Sequence, residues 1–543
     1  MTGAKFGKSM ALLHTWAGVL VGAVLFAVIW TGTLILFRGE IDQWMMPDTR
    51  LAPASAPMSL DRAARLVLPL VPDGATQWRI DLPTARTPVA AFSYKLAGGE
   101  EHARLFDPVR YRLLPEPGTD GASGFLVPLH YSLHLAWKDV GKWLVGLAGM
   151  AMLVLLVSGI VIHRKLVAQF FTFRPRKRLP RSALDLHNLS GVLLLPFHFM
   201  LALSGLVIFM TVFFPQAHVA AYGTGPKAKA AFMAEAYGSR KAGAKVAGKV
   251  AGDGGEEGAE EAAPPASLDG MRREAARLWG ADRTSHVEPY FVRAWQPGSA
   301  TALIELRRSY AREVTMNLDQ LYFDAATGRL VRRFEAGPVM TVQRAFSGVH
   351  FARFDHGTLR GLYFLGGLGG CVLVATGFLF WLEARRGRHA RQGLGGVRLV
   401  EALAAGSMTG IVLATLAFLA ANRLLPAGAE LPGWDRAALE RLAFYAMWLA
   451  AFAHAWRRRT AAWREQLLAI AVLGVAAVLL NWITTGDHVA RALGNGLHAV
   501  AGVDSVLLAF AALAWHAARR IGVTDRRRDG PSGPGVGGQG AHG

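Results

Sequence analysis

Hydrophobic positions along the chain gather into runs of about 20 residues, each long enough to cross a hydrocarbon core roughly 30 Å thick at about 1.5 Å per helical residue. Eight segments fit this pattern: residues 12–37, 142–163, 187–214, 359–382, 401–421, 441–457, 466–485 and 500–518. They predict a polytopic α-helical membrane protein and disfavour a β-barrel, whose strands alternate over much shorter segments. The first run follows Lys5 and Lys8 but is longer than a signal-peptide core. Its first A-x-A site, Ala54-Ser55-Ala56, lies well past its end, so it reads as a retained helix.

Two long polar segments separate these runs, 38–141 and 215–358, and an even number of crossings puts both on one side. The first contains a helix-like LDRAARLVLPL followed by strand-like QWRIDLP, PVAAFSYKL and ARLFDPVRYRLLPE. The second opens on an Ala-, Gly-, Lys- and Glu-rich stretch, 225–266, whose low hydrophobicity predicts a flexible linker. After it, 267–345 repeats the earlier outline: helix-like LDGMRREAARLW, strand-like ATALIELRRS and EVTMNLDQLYF, then the turn Asp324-Ala325-Ala326-Thr327-Gly328. Each segment is predicted to hold a small α+β module. The remaining divisions are helices 1–37, 142–214 and 359–382, a C-terminal region 383–520 with four further spans, and a disordered tail 521–543.

Charge then sets the orientation. With 59 basic and 39 acidic residues among 543, the net charge is +20, which in a soluble chain would suggest nucleic acid. Here the excess is concentrated in alternate loops: Arg164, Lys165, Arg174, Arg176, Lys177, Arg178 and Arg181 in one, five arginines in 383–399, four in 457–465, and Arg519-Arg520 at the start of the tail. By the positive-inside rule these loops and both termini are cytoplasmic. No nucleic-acid partner is needed to explain the charge; the lipid bilayer is the partner.

The chemistry on offer is narrow. Cys371, in an apolar run, is the one cysteine, so no intramolecular disulfide and no Cys-ligated zinc or iron–sulfur site is available, and redox work would rest on a bound cofactor. The tail contains Gly535-Val536-Gly537-Gly538-Gln539-Gly540, but no strand precedes it and no βαβ unit surrounds it, so it is not read as a dinucleotide site. His130-Tyr131-Ser132-Leu133-His134 has the spacing of a zinc helix yet lacks its glutamate.

An internal repeat organises the histidines. Leu13-His14-x-x-x-Gly18-Val19-Leu20 matches Leu186-His187-x-x-x-Gly191-Val192-Leu193, and eighteen residues past each histidine stands a hydroxyl residue followed by glycine, as Thr31-Gly32 and Ser204-Gly205. The intervening helices correspond as well: His134 precedes Ser158-Gly159 by 24 residues, and His350 precedes Thr376-Gly377 by 26, giving a duplicated four-helix core. The repeat predicts His14 and His187 at one depth, near the cytoplasmic face, and His134 and His350 at another, near the external face. Two histidines from two helices at one depth suit bis-imidazole ligation of a haem inside a four-helix bundle, so two haems are predicted. His198, about 16 Å along the same helix face from His187, is a candidate for the outer haem or for the path between the two. His163, His454 and His516 read as polar residues at the membrane interface.

At these residues the sequence resembles the PepSY-associated transmembrane family of bacterial inner-membrane proteins. The matching features are LHTWAGVLVG, LHYSLHLAWKDVGKWLVGLAG, LDLHNLSGVLLLPFHFMLALSGL, GVHFARFDHGTLRGLYFLGGLGG and the turn YFDAATGRL, together covering roughly residues 8–390. The resemblance implies two periplasmic PepSY modules on a four-helix core, although FDPVRYRLL in the first module departs from the pattern in lacking the turn glycine. It also implies kinship with iron-regulated inner-membrane proteins and ferric-siderophore reductases that carry two b-type haems. The expected activity is therefore that of an oxidoreductase. A cytoplasmic or quinone-pool donor, not encoded in this chain, would supply electrons through two haem b groups to a periplasmic ferric chelate. The competing readings are a PepSY-mediated periplasmic binding or regulatory protein and a component of iron or siderophore transport. Arg307, Arg308 and Arg312, around one predicted strand, fit either an anionic ligand or a solvated basic face.

Overall fold

The computed structural model describes residues 3–162, 179–238, 266–280, 287–317, 319–392 and 395–528. His163, most of the basic 164–186 loop, most of the 225–266 linker and the glycine-rich end of the 521–543 tail lie outside the described residues. In chain order the main elements are α1 (Gly3–Ile35), α2 (Arg38–Met45), α3 (Leu60–Val67), β1 (Ala75–Asp81), β2 (Ala90–Leu96), β3 (Glu101–Asp107), β4 (Arg112–Leu113), α4 (Gly121–Ser132), α5 (Val140–Ile162), α6 (Leu179–Leu193) and α7 (Leu195–Ile208). There follow α8 (Pro226–Tyr237), α9 (Leu268–Leu278), β5 (Pro289–Trp295), β6 (Leu303–Arg308), β7 (Gln320–Asp324), β8 (Leu330–Phe334), α10 (Pro338–Phe351), α11 (Gly357–Arg391), α12 (Gly396–Leu424), α13 (Arg436–Arg458), α14 (Thr460–Thr485) and α15 (His498–Arg528).

Among the described residues, six helices are long and apolar enough to cross a membrane: Lys5–Ile35, Trp137–Ile162, Gly357–His389, Gly396–Leu424, Thr460–Thr485 and His498–Ile521. A seventh exists if the bent pair Arg181–Leu193 and Leu195–Ile208 is one span; its two halves meet at 65°. The chain is thus a multi-span membrane protein. The bend falls at Pro196, which has no N–H for the helix ladder and whose ring crowds the carbonyl four residues back. The expected span at 441–457 does not reach the same standard. It lies in α13 between Glu440-Arg441 and Arg457-Arg458, leaving an apolar stretch of roughly 22 Å, short of the roughly 30 Å core.

The chain divides into two compact units, Met1–Ala384 with Ala490–Ala501, and Arg385–Val489 with Gly502–Gly543. In the first, the two polar segments, expected as separate small modules, contribute four strands each to a single antiparallel sheet of order β4-β3-β2-β1-β5-β6-β7-β8. The seam is the β1–β5 pair, with Arg79 opposite Arg293. One sheet face carries Trp78, Ile80, Phe92, Val292, Ile304, Leu306, Leu321 and Phe323 against α3 and α9, forming a core with Leu60, Val67, Met271 and Ala275. The alternation of the strands produces this face, because side chains two apart share a side.

The two helices over the sheet begin with the same tripeptide, Ser59-Leu60-Asp61 and Ser267-Leu268-Asp269, and each aspartate caps the other helix. Asp269 accepts from Ser59 Oγ at 2.5 Å and Leu60 N at 2.9 Å, while Asp61 accepts from Ser267 Oγ and Leu268 N, both at 2.6 Å. A carboxylate at a helix N-terminus satisfies orphan N–H groups and complements the helix dipole. These bonds hold Asp269 below the usual carboxylate range, although its burial works the other way. The start of the predicted linker is not loose: α8 begins at Pro226 and sets Phe232 and Ala236 against Met340, with Arg344 donating to the Ala236 carbonyl at 3.0 Å.

In the second unit, α12, α13 and α14 pack through Leu413, Leu416, Ala451, Ile470 and Ala471. Gly406 gives α13 room to approach, because a Cβ there would stand 2.1 Å from Phe452, and Trp448 Nε1 donates to the Gly406 carbonyl at 3.0 Å. The buried polar groups satisfy one another. Glu440 accepts from Asn422 at 2.9 Å and faces Arg436 at 3.4 Å; Gln466 donates to the Ala451 carbonyl at 2.8 Å; Asn481 donates to Asp504 at 3.2 Å.

Candidate histidine site

Two imidazole pairs stand in the first unit. His14 of α1 faces His187 of α6 with ring centroids 6.2 Å apart, and His130 of α4 faces His350 of α10 at the same 6.2 Å. Each ring is held by a turn of another helix, and the four turns share one design. His130 Nδ1 lies 2.9 Å from the Val28 carbonyl and 3.4 Å from Thr31 Oγ1; His350 Nδ1 lies 3.0 Å from both the Leu201 carbonyl and Ser204 Oγ. His187 Nδ1 lies 2.9 Å from the Leu373 carbonyl and 3.4 Å from Thr376 Oγ1, and His14 Nδ1 lies 3.0 Å from Ser158 Oγ.

The glycine after each hydroxyl residue makes the space. A Cβ on Gly32 would stand 2.8 Å from His130 Cε1, one on Gly205 2.9 Å from His350, one on Gly377 3.2 Å from His187 and one on Gly159 3.4 Å from His14. The hydroxyl–glycine dipeptides that mark the repeat are therefore the seats of the four histidines.

These contacts fix the chemistry of each ring. A carbonyl only accepts, and the hydroxyls already donate to their own helix carbonyls, so Nδ1 carries the proton in all four rings. The lone pair is then on Nε2, the arrangement of a metal-bound histidine whose other nitrogen is anchored to a carbonyl or hydroxyl. Burial pushes His130 down and His350 down to about 4, with the His130 charge the next cause for His350, so both are neutral at physiological pH. Two imidazoles bound end-on to one metal at about 2 Å per bond stand roughly 6 Å apart centre to centre, so both pairs fit a bis-histidine haem. Among the described residues no group of three or more His, Cys, Asp or Glu side chains could hold a metal ion.

Two expected candidates stand apart from these pairs. His134 is not brought opposite His350: α4 ends at Leu133 in the left-handed region, His134 itself has φ of 56°, and its Nε2 turns back to the Phe125 carbonyl at 2.9 Å. The place belongs to His130, one helical turn earlier. His130-Tyr131 matches His350-Phe351 as a histidine followed by an aromatic near the end of a helix, and this was the signal that spacing alone missed. His198 is buried between the pairs along α6–α7 with no facing imidazole. Its Nε2 meets the Gly366 carbonyl at 3.1 Å and its Nδ1 is buried without a partner. In both residues the proton sits on Nε2, the reverse of the four paired rings.

Comparison with known proteins bears on the same residues. The family described as the PepSY-associated TM region matches residues 11–384, a range that contains all four seats. An uncharacterised protein of Pseudomonas aeruginosa is similar to this chain, 28% identical over 417 residues covering 72% of this chain and 87% of the relative.

Proposed function

The chain belongs to the PepSY-associated transmembrane family, and from that premise we propose that it is a two-haem electron-transfer protein of the bacterial inner membrane that delivers electrons to a periplasmic ferric chelate. The observation that carries this reading is the fourfold seat: four partly buried imidazoles in two facing pairs, each with Nδ1 anchored, which leaves the lone pair on Nε2. His14 and His187 would hold one haem, His130 and His350 the other. Haem, when bound, supplies one-electron chemistry whose potential is set by axial ligand, hydrogen bonding and burial.

The chain's own part is placement and exclusion of water. Helix α1 serves both sites, carrying His14 and, eighteen residues on, the glycine that seats His130, about 27 Å of helix. Between them lies an apolar layer of Leu25, Ala148, Met152 and Leu156 with Ile29, Ala202 and Val374 around it, which keeps the interior dry. The anchored Nδ1 protons hold ring orientation and raise ligand basicity. In the topology we propose, the core is a duplication, each half pairs helices with a PepSY-like module, α13 completes an eighth crossing, and both termini are cytoplasmic. The first pair is then cytoplasmic-side and the second periplasmic-side, beneath the sheet-bearing segments. The donor is a separate cytoplasmic protein or the quinone pool.

The test is a reduced-minus-oxidised visible spectrum of the purified protein. A b-type Soret and α-band, diminished by H14A, H187A, H130A or H350A, is expected. A colourless protein from haem-replete cells would sink the reading and leave PepSY-mediated binding.

A further inference from the structure

The sheet has a second face, opposite the core. Reading across its centre, Arg79 of β1 stands directly opposite Arg293 of β5, and Arg293 opposite Glu305 of β6; in the next row Asp81 is opposite Phe291, and Phe291 opposite Arg307. Like charges directly opposite one another destabilise a strand pair. Here three guanidiniums crowd one ring: Arg79, Arg293 and Arg307 lie 4.0, 4.7 and 4.9 Å from the centre of Phe291. A solvated basic face would spread such charges into water, yet these side chains are only 25%, 16% and 20% exposed.

A fourth guanidinium joins them. Arg353, three residues past His350, donates to Tyr290 Oη at 3.2 Å and Tyr310 Oη at 3.1 Å, and neither partner is a carboxylate. Against these four cations stand Asp81, paired with Arg79, and the fully buried Glu305, which meets Arg307 at 2.7 Å and Arg293 at 3.7 Å. Moreover, Nε of Arg79, Arg293, Arg307 and Arg353 is buried with no hydrogen-bond partner. A surplus of two positive charges among side chains this little exposed suits an anion. Tyr290 and Trp295, both partly exposed, add flat apolar surface that an organic ligand would use.

We propose that this arginine cluster binds an anionic metal chelate, with ferric iron wrapped in carboxylate or catecholate oxygens and a net negative charge, at the segment that follows His350 in the chain. The assignment rests on the electron-transfer reading for its choice of ligand, but its chemistry stands on the arginines. The arginine fork matches carboxylate oxygens in pairs, and the low exposure of these side chains strengthens each contact.

The test uses gallium(III) citrate, a redox-inert anionic complex, and a gallium(III) complex of a cationic trihydroxamate, titrated calorimetrically into the full chain in detergent. We expect the anionic complex to bind at least about tenfold more tightly, and R79Q and R293Q each to weaken it by about tenfold or more. R79K and R293K, which keep the charge but lose the paired fork and the stacking on Phe291, should bind more weakly than the parent and more tightly than the glutamine variants. Equal binding of the two complexes, or indifference to R79Q and R293Q in samples with unchanged elution volume, overturns the proposal. So does R353Q losing haem absorbance with citrate-complex binding intact, which would assign that arginine to the cofactor. Because binding is read without electron transfer and the visible spectrum is taken on the same sample, the outcomes separate. Charge-selective binding by a haem-free protein keeps the site and removes the electron-transfer reading; haem without such binding does the reverse.

Discussion

The two units bury polar groups for opposite ends. In the second, Glu440, Asn422, Arg436, Gln466 and Asn481 close on one another or on nearby carbonyls, so the polar atoms that lipid would leave stranded are consumed internally. In the first, four histidines are each bonded through Nδ1, and their rings stand in two pairs with centroids 6.2 Å apart, so that Nε2 keeps its lone pair. The difference teaches that burial of polar groups does not by itself mark function in a membrane protein. What marks it is a satisfied network that directs unspent bonding capacity to one common point.

The strongest way to break this comparison is to exchange the two histidines of the HYSLH segment. H130A should abolish one of two haems, roughly half the b-type absorbance, while H134A leaves the spectrum unchanged, as read by pyridine haemochrome assay. The reverse result would return the ligand to His134. Next in size are the glycine seats. G32A and G205A, whose new Cβ would fall under 3.0 Å from a ring, should lose the haem of the His130–His350 pair. G377A should loosen that of the His14–His187 pair and G159A leave it nearly intact. Site-resolved electron paramagnetic resonance of the ferric haems would show that order or refute it.

In the second unit, E440A strands Arg436 inside the protein and should cost about 3 kcal/mol of stability without altering the haem spectrum. Thermal denaturation followed by absorbance and by light scattering separates the two effects, and a spectral change would mean that the units are not so different. The smallest effect belongs to S204A. It removes one of two acceptors from His350 Nδ1 while the Leu201 carbonyl remains, so about 0.5–1 kcal/mol is expected, with haem retained and its midpoint potential moved in a redox titration.

Much of this arrangement was legible in the chain. Long apolar runs gave six helices and the bent pair, because lipid imposes a length that composition reveals directly. The repeat exposed Thr31-Gly32, Ser158-Gly159, Ser204-Gly205 and Thr376-Gly377, although their use was hidden: a hydroxyl and a glycine on one turn serve a ring on another helix, and no local pattern names that ring. His134 was paired with His350 on spacing, whereas the left-handed end of α4 takes His134 off the helix and leaves His130 on it. The joining of both polar segments into one sheet was out of reach for the same reason, since β1 and β5 are separated by the whole of α4 to α9. Arg307 was visible as a basic residue on a strand, but its stacking on Phe291 depends on which strand lies beside it. The run at 441–457 falls short of the other spans because the charges that flank it, expected in loops, lie inside helix α13.

The exchanged caps at Asp61 and Asp269 have a mechanical consequence. Each helix borrows its first carboxylate from the other half of the chain, and β1 and β5 zip those halves along the sheet's midline, so continuity of the backbone between α8 and α9 is not what holds them together. A polypeptide nicked there should migrate as two fragments in denaturing gel and as one particle in mild detergent. The two halves would then be partners that happen to share a chain.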